Sequence, residues 1–301
     1  MIIVYAAWGT NIDYHLQTAF SIVTTLSSPC VERVVLLADD FRHYGFLRGR
    51  IDTIQLDTST LEEWRGQDDY LFRIKIKAVQ KAIQAYPAKD IVFLDGDTFC
   101  YGGLETLAAG LKDGKLFMHE LHCLICTAED RTTRRFWNFV KGKSFAGIEV
   151  NTETPIWNSG VIAMPGKDAA RLVDKVLEVN DDMYPRSSST AKRYNFTEQI
   201  AFAMVLSQMP VSASNSFIGH YWGNKPEWLM AIRNFFVESK LSGRSLDDDL
   251  VEVKRFDFWS IPVHVRRSKT LGRIERLAGK LYPLTKVRYI PGERVLGERE
   301  R

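Results

Sequence analysis

Asp95 and Asp97 stand two residues apart, with only Gly96 between them, directly after the run DIVFL at 90–94. Four apolar residues followed by a carboxylate read as a buried strand. Open α/β sheets bind ligands beyond the carboxyl ends of such strands. Two carboxylates this close repel, and a divalent cation between them removes that cost. Hard cations such as Mn²⁺ or Mg²⁺ take oxygen ligands and bridge to diphosphates. Gly96 lets the backbone turn closely past a ligand. The pair therefore reads as a metal–diphosphate site; a polar turn closing a buried strand is the alternative without chemistry. His119, His122, Cys123 and Cys126 form a second cluster of ligand types, of the kind that holds zinc. In an extended segment His122 and Cys123 face opposite ways, and no Gly or Pro makes a turn, so FMHELHCLIC reads better as a strand whose thiols act as small apolar side chains.

The elements that would position the aspartates are legible in outline. Residues 2–7 (IIVYAA) and 33–38 (RVVLLA) read as buried strands, with a helical stretch from about Tyr14 to Leu26 between them. Residues 70–86 give the clearest helix: Phe72, Ile76, Val79, Ile83 and Tyr86 recur at helical spacing and Pro87 ends it. Arg73 and Lys77 are one turn apart and project together. Further strands are expected near 115–120 and at 160–164. Helices are expected near 168–180, near 197–207 and between 226 and 255, with a surface loop at RSSSTA, 186–191. Alternating strands and helices predict an α/β fold with a mostly parallel, Rossmann-like central sheet flanked by helices.

In order along the chain come an N-terminal strand ending in small residues, Arg73 and Lys77 on the preceding helix, FLDGDT, Trp157-Asn158-Ser159-Gly160-Val161, Thr197-Glu198-Gln199 and His220-Tyr-Trp-Gly223-Asn-Lys225-Pro226. This series resembles the family 8 glycosyltransferases, the retaining GT-A group that includes glycogenin and bacterial lipopolysaccharide galactosyl- and glucosyltransferases, over roughly residues 1–230. The resemblance implies a GT-A nucleotide-diphospho-sugar transferase fold and a metal-dependent hexosyl transfer. The donor would be a nucleotide-sugar, in the first instance a UDP-sugar, and the acceptor a saccharide, glycolipid or protein. Asp95, Asp97 and His220 would hold Mn²⁺ or Mg²⁺. Lys225 would meet the diphosphate, with Gly223 close by. Arg73 or Lys77 would contact donor phosphate or sugar. Asn158, in the turn with Ser159 and Gly160, would bond the donor sugar, and Gln199 with Glu198 would line the reacting centre. Ala6, Ala7 and Asp39 would border the nucleoside, with Gly96 against the diphosphate. The chain departs from the family at Trp8-Gly9-Thr10-Asn11, where an acidic residue is usual, at Glu198 where Asp is frequent, and in the shorter spacing from Gly223 to Lys225. Asp-x-Asp after a strand also resembles the haloacid dehalogenase phosphatases, but those expect Thr or Val where this chain has Phe99. A metal-dependent phosphohydrolase and a noncatalytic nucleotide-sugar or carbohydrate-binding protein are the competing readings.

Of the 301 residues, 45% are hydrophobic and 26% charged, the balance of a globular protein. No apolar run is long enough to span a bilayer. MIIVYAAWGT has neither a basic start nor a cleavage site, so no secretion signal is expected. Four cysteines fit reduced thiols and a cytoplasmic setting. Charge is uneven: residues 264–301 carry eleven Lys and Arg against four Asp and Glu, a net of +7, leaving −4 for the rest. In that tail Leu271, Ile274, Leu277 and Leu281 share a helical stripe, with Lys269, Arg273, Arg276 and Lys280 outside it. The tail, 261–301, is thus expected to be a basic amphipathic extension of a catalytic domain at 1–260. Such a helix either packs on the domain with a solvated basic face or makes peripheral contact with an anionic membrane at its inner face. Nucleic acid is not expected, since no basic-aromatic groove pattern runs through the body.

Overall fold

Strands buried on both faces need apolar side chains at every position, which is why unbroken apolar runs supply the centre of the sheet. In the computed structural model, which describes residues 1–188, 194–265 and 269–282, these runs are β1 (Ile2–Ala7), β2 (Arg33–Ala38) and β4 (Ile91–Leu94), with the shorter β3 (Asp52–Gln55) at the edge. Helices α1 (Ile12–Leu26), α2 (Thr58–Arg65) and α3 (Arg73–Ala85) connect them, and all four strands pair in parallel. Next come β5 (Thr98–Cys100), α4 (Leu104–Lys112), β6 (Leu116–Met118), β7 (Leu121–Leu124) and α5 (Arg131–Val140). The hairpin β8 (Ser144–Phe145) and β9 (Ile148–Glu149) leads through β10 (Pro155–Trp157) to β11 (Val161–Met164). After α6 (Gly166–Ser188) follow α7 (Thr197–Leu206), β12 (Val211–Ala213), β13 (Ile218–His220), α8 (Lys225–Ser242) and α9 (Leu246–Glu252).

The central sheet runs β12-β6-β11-β4-β1-β2-β3. Six strands share a direction; β11 alone opposes its neighbours β4 and β6. Side chains alternate across it. Ile2, Val4, Val35, Leu37, Ile91 and Phe93 face the layer that contains α3, α6 and α7. Ile3, Tyr5, Val34, Leu36, Val92 and Leu94 face α1, α4 and α8, where Phe20 and Trp228 are fully buried. The Tyr5 hydroxyl, buried in this second layer, bonds Ser21 at 3.0 Å and Thr25 at 2.6 Å, fixing α1 against β1.

The expected α/β architecture is present, with several differences in its elements. The helix expected over 70–86 begins at Arg73, and its buried side carries Lys75 beside Ala78, Val79 and Ala82. Helices α2, α4 and α5 and strands β3, β5, β8 to β10, β12 and β13 are not among the expected elements, most of them being too short for periodicity to show, and the single strand expected over FMHELHCLIC is instead two, β6 and β7, followed by a 3-10 turn at Ile125–Thr127. The loop expected at 186–191 is helical as far as Ser188, and its remaining residues lie outside those described.

The chain divides into Met1–His264 and Val265–Arg301, so the division falls after His264, where the sequence suggested 260. In the second unit the described residues form α10 (Lys269–Leu281), with Ile274, Leu277, Leu281 and Tyr282 exposed. Residues 283–301 of the expected tail lie outside those described. Among the described residues no helix is long and apolar enough to cross a membrane.

Candidate active site and metal centre

Asp95 is the first residue beyond β4. Its N–H donates to the Gly160 carbonyl at 2.9 Å, and its own carbonyl accepts from the N–H and hydroxyl of Thr98. The resulting turn throws Asp97 to one side and starts β5. Strand β5 pairs antiparallel with β13, placing His220 opposite Thr98, and the Tyr221 N–H bonds the Asp97 carbonyl at 3.1 Å. This short ladder brings His220 to the aspartates across more than a hundred residues. One ligand atom each from Asp95, Asp97 and His220 lies within 4.8 Å of the others, the only such group of three or more metal-ligating side chains among the described residues. The histidine–cysteine cluster at 119–126 does not converge in this way.

The imidazole of His220 is oriented from behind. Its Nδ1 lies 2.9 Å from Asn158 Oδ1, which also accepts the Gly160 N–H at 2.8 Å. Two N–H groups meeting on one atom identify that atom as the amide oxygen. His220 therefore donates from Nδ1, and its Nε2, 3.2 Å from Asp97 Oδ1, is the nitrogen that faces the aspartates. A second-row partner that fixes the tautomer is a usual companion of a ligating histidine. Gly160 is required here, because a Cβ would stand 2.2 Å from His220 Nδ1. Behind His220, its ring edge-on at 5.4 Å, His119 donates Nε2–H to the Ile218 carbonyl; burial pushes its pKa down to about 4, so it is a neutral packing group.

Charge around the centre is crowded. Asp97 is buried, and burial works against its charge. The His220 imidazole at 3.2 Å and the Lys225 ammonium at 2.8 Å nevertheless hold its carboxyl well below the usual range. Lys75, 7% exposed, reaches Asp95 at 2.9 Å, the Ser159 carbonyl and hydroxyl at 3.2 Å, and Glu198 at 3.8 Å. Burial opposes its charge too, but Asp95 and Glu198 outweigh it and raise the Lys75 pKa. Glu198, 2% exposed at the start of α7, also accepts from the Tyr70 hydroxyl at 3.0 Å and from Ser159 Oγ at 3.3 Å. Burial raises its pKa. Three carboxyl groups meet two ammonium groups and an imidazole here, and a divalent cation would add positive charge toward a diphosphate. Two carboxylates and an imidazole are the donor set for a hard to borderline cation rather than for a thiolate-bound one.

A cleft of about 930 Å³ lies over this centre. Most of the candidate residues line it: Ala6 and Ala7 at the end of β1, Gly96 between the aspartates, Asn158, Ser159 and Gly160 before β11, and Glu198, Gln199 and Lys225 on α7 and α8. Four candidates lie elsewhere. Asp39 accepts the Gly9 N–H at 2.8 Å while His15 bonds the Gly9 carbonyl, so it braces the turn after β1. Arg73 is held by Asp181 and by backbone carbonyls of α2. Lys77 bonds Gln80 and borders a separate cavity of about 340 Å³ beside Trp64. Gly223 packs under His264, whose ring leaves no room for a Cβ. The α3 cation that reaches the aspartates is Lys75. The sequence signal for it was its place in the stripe Lys75, Ala78, Val79, Ala82, where a lysine among small buried residues marks an internal partner.

No family model matches the chain, and no curated protein does. Among solved structures the chain is similar to the galactosyltransferase LgtC in complex with donor and acceptor sugar analogs, at 16% identity over 74% of this chain and 88% of that one, with a TM-score of 0.43. It is also similar to the glycosyltransferase GlyE in Streptococcus pneumoniae TIGR4, at 13% identity over 82% and 50% of the two chains, with a TM-score of 0.42. Mouse xyloside xylosyltransferase 1 in its apo form gives 14% identity over 70% and 83%, with a TM-score of 0.46.

Two predictions follow from the charges. Lys75→Met leaves Asp95 and Glu198 without their shared cation; removing one partner of a buried pair costs about 3–5 kcal/mol. The urea midpoint should fall accordingly and recover in part with Mn²⁺, which would neutralise Asp95; an unchanged midpoint would show that Lys75 is not the counter-charge. For Asp97 the folded pKa lies below the unfolded value of about 3.9. Its contribution is thus complete above about pH 5 and is lost as pH falls through the folded pKa. Asp97→Asn should be less stable than wild type at neutral pH, with the gap closing below about pH 4. Thermal melts that keep a constant gap across that range would contradict the assignment.

Proposed function

We propose that this chain is a GT-A glycosyltransferase that transfers a sugar from a nucleotide-sugar, a UDP-sugar first among them, to an acceptor hydroxyl with retention of anomeric configuration. The observation that carries the reading is the meeting of Asp95, Asp97 and His220 with Lys225 at the floor of a cleft that runs from the end of β1 to the start of α7. That cleft has room for a nucleoside at Ala6 and Ala7, a diphosphate over the aspartates, and a sugar against Asn158, Glu198 and Gln199. Mn²⁺ suits the mixed oxygen and nitrogen donors better than Mg²⁺, which favours oxygen alone. Bound there, the cation supplies charge neutralisation to the departing diphosphate.

The protein's own groups divide the remaining work. Lys225, on the first turn of α8 and 42% exposed, is free to turn from Asp97 to the diphosphate once Asp97 is shared with a cation. Glu198 is held by Tyr70, Ser159 and Lys75, so it fixes the wall beside the reacting centre and is not free to swing as a nucleophile. Gln199, half-buried in the cleft, is the uncharged group next to it. Asn158 acts through His220 by holding its tautomer. Catalysis by such a site is electrostatic and positional.

The basic helix α10 supports a second part of the reading, contact with an anionic membrane surface. Ile274, Leu277, Leu281 and Tyr282 are exposed on it, as are Arg273, Arg276 and Lys280. Apolar and basic side chains exposed on one helix are the composition of an interfacial helix.

The reading is tested by nucleotide diphosphate release from a panel of UDP- and GDP-sugars with Mn²⁺ or with EDTA. One donor should be hydrolysed in a metal-dependent way, and Asp97→Asn should lower the rate by about 10²-fold or more, the scale of losing an electrostatic stabiliser. Metal-dependent binding without release would favour a noncatalytic nucleotide-sugar-binding protein; release of inorganic phosphate from phosphomonoesters instead would favour a phosphohydrolase. For the tail, the full chain should sediment with vesicles of phosphatidylcholine plus phosphatidylglycerol and not with phosphatidylcholine alone. Each basic residue near such a surface is worth about 1 kcal/mol, so reversing Arg273 and Arg276 to Glu should weaken binding at least about tenfold. Equal binding to neutral vesicles, or none, would refute the membrane contact.

A further inference from the structure

Resting on the transferase reading above, we propose that Trp222 and His122 form the acceptor subsite and that it takes a pyranose sugar, stacked by its C–H face on the indole. Trp222 lies two residues beyond the metal-site histidine. Tyr221 between them is fully buried, whereas His220 and Trp222 both line the cleft. Trp222 is 45% exposed, so an aromatic side chain is accessible on the wall of the cleft beside His220. Isolated exposed apolar residues are ordinary on protein surfaces. This one is held in a defined place by its neighbours. The His264 ring packs against it at 4.8 Å and sits against the backbone of Gly223, where a Cβ would be 2.2 Å away.

A polar partner stands beside the platform. The His122 ring, also lining the cleft, is 6.2 Å from the Trp222 ring. Its Nε2 lies 3.3 Å from Glu120, whose carboxylate is also bonded by Asn215 at 3.4 Å. Those neighbours hold Glu120 ionised, with a pKa of about 2, so it accepts from His122 Nε2–H. The ring's other nitrogen, Nδ1, is a second polar atom at the edge of the platform, able to bond a sugar hydroxyl. An apolar plane with a few fixed polar groups at its edge is the pattern of a small-ligand subsite. A pyranose matches it, since one ring face is all C–H and its hydroxyls project from the rim. A nucleobase is also flat, but the end of the cleft assigned to the nucleoside is at Ala6 and Ala7, whereas Trp222 belongs to the segment that carries the metal-site histidine.

Saturation-transfer difference NMR on the full chain tests this, with Mn²⁺ and uridine diphosphate present and with methyl β-galactopyranoside, methyl β-glucopyranoside, lactose and maltose as probes. At least one sugar should receive saturation on its ring C–H protons. Trp222→Ala should lower that signal at least tenfold, and Trp222→Phe, which keeps a smaller ring, should retain part of it; melting curves establish that both variants are folded. Sugar signal undiminished in Trp222→Ala would overturn the proposal. So would saturation of the uridine diphosphate, and of no sugar, that is lost in Trp222→Ala. If the nucleotide is saturated in a Mn²⁺-dependent way on wild type and no sugar is, the subsite falls while the donor reading stands. If the nucleotide gives no signal either, the transferase reading falls first and takes this one with it.

Discussion

Three carboxylates, those of Asp95, Asp97 and Glu198, share the floor of one largely buried cleft, and the cost of their mutual repulsion organises what surrounds them. Isolated buried charge is too expensive to keep, so each carboxylate is matched. Lys75 sits between Asp95 and Glu198, and Lys225 and His220 sit on Asp97. The cations and the imidazole approach the carboxyl groups from the protein side, and the aspartates still line the open cleft, where a divalent ion would add to that matching.

The sheet supplies the geometry for this arrangement. Strand β4 ends at Asp95, and β11, running the other way beside it, begins just past Asn158, Ser159 and Gly160. The start of one strand therefore lies against the end of the next, and the Asp95 N–H to Gly160 carbonyl bond ties the two. If β11 ran parallel, its first residues would lie at the opposite edge of the sheet, and Asn158 could not reach His220. The single reversed strand is thus the feature that puts a histidine-orienting amide beside the aspartate turn.

Much of this was legible from residue types. The Asp95–Asp97 pair announced itself because an apolar run before two acids has few other uses, and the strands at 2–7, 33–38 and 160–164 were visible because burial on both faces leaves no polar interruption. His220 was found through its place in a motif series. Its convergence on the aspartates depends on the β5–β13 ladder, a pairing of three-residue strands that leaves no periodic trace. Lys75 is not separable from Arg73 and Lys77 by residue type, because neighbouring cations on a helix look alike until the buried stripe is known. Arg73 turns out to serve Asp181, and Asp39 to brace Gly9, roles fixed by distant elements that composition does not reveal.

The position of β11 also bears on the order in which the chain becomes itself. Strands β1 to β4 and their helices are complete by residue 94, and they make a four-stranded parallel sheet with a raw edge at β4. That edge stays open through nearly seventy more residues, until Val161–Met164 arrives to occupy it. An uncovered strand edge invites pairing with another chain. During synthesis, when domains form from the N-terminus forward, the nascent protein is therefore most exposed to mispairing just after its aspartates have emerged. The same strand that later seals the edge delivers Gly160, and only after residue 220 has followed can the three side chains meet. Their convergence is thus a property the chain acquires after its sheet has closed, and an ion held there would serve as a seal on a finished fold.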